Sequence, residues 1–170
     1  MVIRGADPLS DTLAAAMAVV LGEVPGTEPW RGEVLRRAEL FQAALRVGAI
    51  EAITTAAAAL AGLGEGSTPA GDDYLVGVLH ALARGRPPSP RMAPLVASLG
   101  GIGETRTTAA SAAWLAAAAR GEASPVWRAL LDVLASGSEV DVRRAARAVR
   151  GTGHTSGAFS LRGFLDTLSG

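Results

Sequence analysis

An all-α fold is predicted, and three features of the chain predict it. Nearly half of its 170 residues, 49%, are apolar, while only 4% are aromatic. Alanine supplies much of that apolar content, and it has the highest helix propensity and allows helices to approach closely. Apolar residues recur at helical spacing along most of the chain, and no stretch shows the alternation of a half-buried strand. The expectation is a single compact domain over residues 1–170, with about seven to eight helices and glycine-rich loops at helix N-termini.

The elements follow in order. Ser10 is placed to cap a first helix whose stripe is Leu13, Met17, Val20 and Leu21. Residues 22–29 hold two glycines and two prolines and read as a loop. Helical period returns from Trp30 to Val47 with Val34, Leu35, Ala38, Phe41 and Leu45 on one face, until Gly48 interrupts it. A further helix spans residues 49–60. Residues 62–71 carry four glycines and a proline, which no helix interior tolerates. Helix resumes near Asp73 and runs to Ala83; the run 85–90, Gly-Arg-Pro-Pro-Ser-Pro, reads as a stiff connector. Shorter helices are expected near 92–99, 107–120, 124–135, 140–150 and 158–168.

Composition narrows the function. The chain carries 16 basic and 16 acidic residues, and every basic one is arginine. A neutral chain lacks the basic stripe of a nucleic-acid binder, and Arg143, Arg144, Arg147 and Arg150 read as a solvated helix face. With no cysteine, disulfides and thiolate chemistry are excluded. No apolar run reaches the roughly 18 residues that span a bilayer. The start of the chain, with Asp7 and Asp11 ahead of its apolar stretch, is not a signal peptide. Nucleic acid and membrane are therefore not expected partners, and a cytoplasmic location is the default.

Three segments are too polar and too rich in glycine to serve only as connectors. The first is 62–73, Gly-Leu-Gly-Glu-Gly-Ser-Thr-Pro-Ala-Gly-Asp-Asp. It feeds a helix, so amides around Gly64, Gly66, Ser67, Thr68 and Gly71 and the positive helix end suit a small anion. Asp72 and Asp73 complicate that role, because two carboxylates repel a bare phosphate. Either a divalent cation such as magnesium bridges them, or one carboxylate takes N–H groups of a substrate, or they cap the helix. The second segment is 151–157, Gly-Thr-Gly-His-Thr-Ser-Gly, where His154 is placed for acid–base work and Thr155, Ser156 and Gly157 open the next helix. His80, inside a helix, reads as a packing residue. The third is 105–108, Thr105-Arg106-Thr107-Thr108, at the start of the helix bearing Trp114, with hydroxyl caps or the Arg106 guanidinium on an anionic group. If these helix starts converge, they form one lysine-free anion site. Trp114 and Trp127 are apolar anchors for a homo-oligomeric face.

With these residues in view, the chain resembles the AllH family, which includes a subunit of oxamate carbamoyltransferase. The family's first motif is matched at Gly62, Leu63, Gly64, Gly66, Thr68, Pro69, Gly71, Asp72 and Asp73, with departures at Glu65, Ser67 and Ala70. Its last motif is matched at Gly153, His154, Thr155, Ser156 and Gly157, and the similarity covers roughly residues 30–170. The resemblance implies carbamoyl transfer between an amide-bearing acid and phosphate, with carbamoyl phosphate or phosphate as ligand and partner subunits alongside. In that scheme the loop amides hold phosphate, Arg106 stabilises the oxyanion and His154 shuttles the proton. The resemblance also implies an aspartate shortly after the second motif, where this chain has Phe159-Ser160, and a longer N-terminal region. Three readings stay open: an enzyme subunit, a ligand-binding module without turnover, and a helical assembly subunit.

Overall fold

Local sequence sets the helix ends. Helix α2 (Trp30–Val47) stops at Gly48, whose φ of 78° is the left-handed conformation that terminates helices, and Gly48 N–H closes the last turn on the Ala44 carbonyl at 3.0 Å. Helix α9 (Glu139–Arg150) starts with a reciprocal capping box between Ser138 and Asp141. The computed structural model describes residues 11–22, 27–83, 90, 92–136 and 138–169. Among them the remaining helices are α1 (Asp11–Leu21), α3 (Ile50–Leu60), α4 (Ala70–Ala83), α5 (Ala93–Gly101), α6 (Gly103–Arg106), α7 (Ala109–Ala119), α8 (Pro125–Ser136) and α10 (Ser156–Ser169).

The architecture is all-helical, with no strand among the described residues. Among the described residues nine helices and the single turn α6 exceed the expected seven to eight; α6 arises where Gly103 packs its backbone on Ala112, 2.7 Å from where a Cβ would stand. A second correction concerns α4, which begins at Ala70 and not at Asp73. The Pro69 carbonyl accepts from both Asp72 N–H (3.0 Å) and Asp73 N–H (3.1 Å), so the first turn forms across Gly71. That glycine is no helix breaker here; a Cβ on it would overlap the Leu60 carbonyl. Likewise α10 starts at Ser156, two residues ahead of the expected 158. Ser10 and most of the connector 85–90 lie outside the described residues.

Two apolar clusters make the interior. One joins Val34, Phe41, Ile53, Tyr74, Leu75, Leu99 and Leu115 from α2, α3, α4, α5 and α7. The other joins Met17, Trp127, Leu130, Val142, Val149 and Phe164 from α1, α8, α9 and α10. Trp127, expected as a surface anchor, is buried here because its ring packs on Phe164 at 5.2 Å.

Helices α4 and α10 run between the clusters and touch through backbone. A Cβ on Gly77 would overlap the Ser160 carbonyl oxygen, and one on Gly163 would overlap the Tyr74 carbonyl oxygen. Beside this contact Tyr74 Oη donates to the partly buried Asp166 (3.0 Å) and accepts from the buried Gln42 (2.9 Å), tying α2, α4 and α10. Burial raises the Tyr74 pKa, so the phenol keeps its proton as a donor. No helix among the described residues is long and apolar enough to cross a membrane.

Candidate functional site

The segment between α3 and α4 is shaped by glycine. Gly64 has φ 116°, a conformation side-chain-bearing residues avoid, and lies 2.7 Å (from its would-be Cβ) to the Ala70 nitrogen. The segment is anchored from one side by Asp72, which is 1% exposed. Gly62 N–H donates to Asp72 Oδ1 at 2.9 Å, and the Thr107 hydroxyl donates to Asp72 Oδ2. Thr108 adds a second tie, its hydroxyl donating to the Ser67 carbonyl at 2.6 Å while it caps α7 by accepting from Ser111 N–H. Asp72 thus holds the start of the segment against the α6–α7 junction. Asp72→Ala would leave two part-buried donors, the Gly62 N–H and the Thr107 hydroxyl, without their acceptor and is expected to cost about 1–3 kcal/mol, read as a lower urea midpoint with an unchanged m-value.

Asp73 points elsewhere. Consecutive helical residues are turned by about 100°, so the neighbours cannot share a direction. Asp73 lines a cavity of about 190 Å³ bounded by α4 and the start of α10. From α4 come Asp73, Val76 and His80, three, then four residues apart and so on one face. Ser156, Gly157 and Ser160 face them from α10, with Thr152 and Gly153 at the rim. Thr68 reaches across to α10, its hydroxyl 3.0 Å from that of Ser156, and this contact joins the two sequence motifs directly. Trp127 is a buried wall; Trp114, 51% exposed, and Glu122, which pairs with Arg120 at 2.7 Å, stand at the solvent side.

Two side chains that line this cavity each have one buried polar atom without a hydrogen-bond partner. Asp73 is 9% exposed, and its Oδ2 has no hydrogen-bond partner. Burial raises its pKa to about 7, with the nearby Asp72 charge adding to the rise, and the Ser156 and Thr68 hydroxyls beside it oppose the shift. His80 is 3% exposed, its Nδ1 lacks a partner, and its ring lies 4.6 Å from that of Trp127. Burial lowers its pKa to about 4, so near neutrality it is an uncharged imidazole.

The sequence-derived residues therefore divide. Thr68, Asp73, Ser156 and Gly157 line the cavity. Asp72, Gly71 and Thr107 hold the surrounding backbone. Gly64, Gly66, Ser67, Arg106, His154 and Thr155 are not among the lining residues; Arg106 and His154 are exposed. His80, Trp127 and Ser160 also line the cavity without standing out as site residues in the sequence, although the 73–76–80 spacing places His80 on the Asp73 face. Of the Phe159-Ser160 pair, Phe159 packs on Trp30 at 5.9 Å within the core, while Ser160 faces the cavity. Among the described residues no three His, Asp or Glu side chains gather as a metal set.

These features define an all-helical protein whose two glycine-bearing helix starts close over one small, partly polar cavity. The chain belongs to the AllH family: the family model described as oxamate carbamoyltransferase subunit AllH matches residues 60–168. Membership relates it, at the level of the family, to a carbamoyltransferase. The matched residues include both motifs and every residue that lines the cavity. No curated protein matches the chain. No solved structure matches it either.

Proposed function

We propose that this chain is a carbamoyltransferase-type subunit that binds a small amide-bearing acid, of the oxamate or carbamoyl phosphate kind, in the cavity between α4 and α10. The observation that carries this reading is the unpartnered Asp73 Oδ2, buried where the two motifs meet. An unpaired buried acceptor is costly, and an amide N–H satisfies it. The Thr68 and Ser156 hydroxyls beside it serve as adaptable donors or acceptors for the adjoining oxygen. With a pKa near 7, Asp73 is partly protonated at neutrality, so it also tolerates the acid's negative end. The volume, about 190 Å³, is below the roughly 300 Å³ at which drug-sized pockets begin and suits a small metabolite.

A second reading, binding without turnover by this chain alone, draws support from the lining itself. Its ionisable members among the described residues are Asp73, His80 and Glu122, and none is an arginine. A phosphoryl group would then take its counter-charge from magnesium or from a partner subunit. This favours Asp73 as an N–H acceptor over the site as a self-sufficient anion cradle.

Thermal unfolding with oxamate, carbamoyl phosphate or phosphate, with and without magnesium, tests the proposal. Ligand at a hundred times its Kd stabilises by about 2.7 kcal/mol, or roughly 5–10 °C in Tm for a chain of this length. Asp73→Leu, which has a similar shape and no acceptor, is expected to remove the shift measured against its own baseline. No shift with any of these ligands, or a shift that survives Asp73→Leu, would sink the reading.

A further inference from the structure

The cavity is longer than an amide group needs. Asp73 and His80 are seven residues apart on α4, about 10.5 Å along the axis at 1.5 Å per residue, and both line the same space. Val76 lies between them, and the Trp127 indole, tilted against the His80 ring with centroids 4.6 Å apart, forms a wall at the His80 end. The volume of about 190 Å³ is more than a carbamoyl group, with its three heavy atoms, fills. His80 lines the far end, and its Nδ1 is buried without a partner. An apolar ligand would leave that nitrogen unsatisfied, and a bare carbamoyl group at Asp73 would not extend to it.

We propose that the occupant is a primary amide carried on a flat, unsaturated body, with Asp73 taking its N–H groups, Trp127 and Val76 flanking the body, and His80 bonding a polar atom at its far end. This rests on the reading of the cavity as an amide site and specifies its substrate class. A neutral imidazole carries one donor and one acceptor, so His80 accepts a ring N–H or donates to a ring nitrogen, and a flat ring gains from stacking where a branched body does not. His80 is then a specificity-determining residue that touches ligand without taking part in chemistry.

Three amides separate the terms: acetamide has the amide alone, benzamide adds the ring, and isonicotinamide adds an acceptor opposite the amide. Titration of the intact chain, followed by tryptophan fluorescence, is expected to give benzamide at least tenfold tighter than acetamide, with isonicotinamide tighter again by threefold or more. His80→Phe is expected to erase the second difference and keep the first. The chain has only two histidines, so proton NMR reads the unmodified protein directly: isonicotinamide should move the His80 ring signals further than benzamide does, and leave those of exposed His154 in place. Acetamide binding as tightly as benzamide would overturn the inference, as would His80 signals that respond equally to both aromatic amides. If none of the three binds while oxamate or carbamoyl phosphate still gives an Asp73-dependent thermal shift, this inference falls and the functional reading stands. If neither set binds, both fall.

Discussion

Gly77→Ala is expected to be the most damaging single-methyl change in the molecule. The added Cβ would overlap the Ser160 carbonyl oxygen, which belongs to the helix backbone and cannot swing aside as a side chain can. Relief requires α10 to move away from α4, and Gly163, which meets the Tyr74 carbonyl from the other side, would lose its fit at the same time. Overpacking ordinarily costs about 1–3 kcal/mol, but a backbone collision between two buried helices falls in the rarer class above about 4 kcal/mol. A natural domain holds only about 5–15 kcal/mol in total. Much of the variant should therefore be recovered unfolded or aggregated, and any folded fraction should show a steeply lowered urea midpoint. A variant within 1 kcal/mol of the parent would mean that α4 and α10 do not cross as closely as described.

The second large effect is a pair of opposed pH dependences in the cavity. Asp73 is protonated more readily in the folded chain, at about 7 against an ordinary 3.8, so the folded state binds the extra proton between those values. Stability from this group is full below about pH 4 and declines as pH rises toward 7. His80 runs the other way: its folded value of about 4 lies below the ordinary 6.5. Its contribution is full above pH 6.5 and is lost as pH falls toward 4. In the parent chain the two slopes largely offset each other. Asp73→Asn removes the first, so its stability relative to the parent should grow by a few kcal/mol between pH 5 and 7.5. His80→Phe removes the second and should gain on the parent as pH drops through the same range. Urea unfolding at several pH values reads both; two flat difference curves would mean that neither group is buried in the way described.

Fold and site differed in how much of them the sequence disclosed. The C-terminal end of α2 is plain because Gly48 adopts a backbone angle that few other residues accept. The start of α4 was misplaced because Gly71 looks like a breaker until Leu60 is seen packed against it. For the site, spacing could not distinguish Asp72 from Asp73; only the helical turn between them sends one to Gly62 and Thr107 and the other to the cavity. A histidine flanked by Leu79 and Ala81 reads as core, and His80 is core in its burial; that it also borders open space depends on Trp127, 47 positions away, and is a tertiary fact. The polar surroundings of His154 read as a site signal in the sequence, and the residue lies in a solvent-exposed turn.

The place of α2 has a practical consequence for anyone who trims the chain. The family match begins at residue 60, yet Val34 and Phe41 of α2 are wholly enclosed, and Gln42 bonds the Tyr74 phenol. A fragment cut at the edge of the match would expose the inward faces of α4 and α5 and leave Phe159 without Trp30 above it. The stretch that carries the family's signature is thus smaller than the unit that has to fold around it, and expression boundaries belong upstream of Trp30.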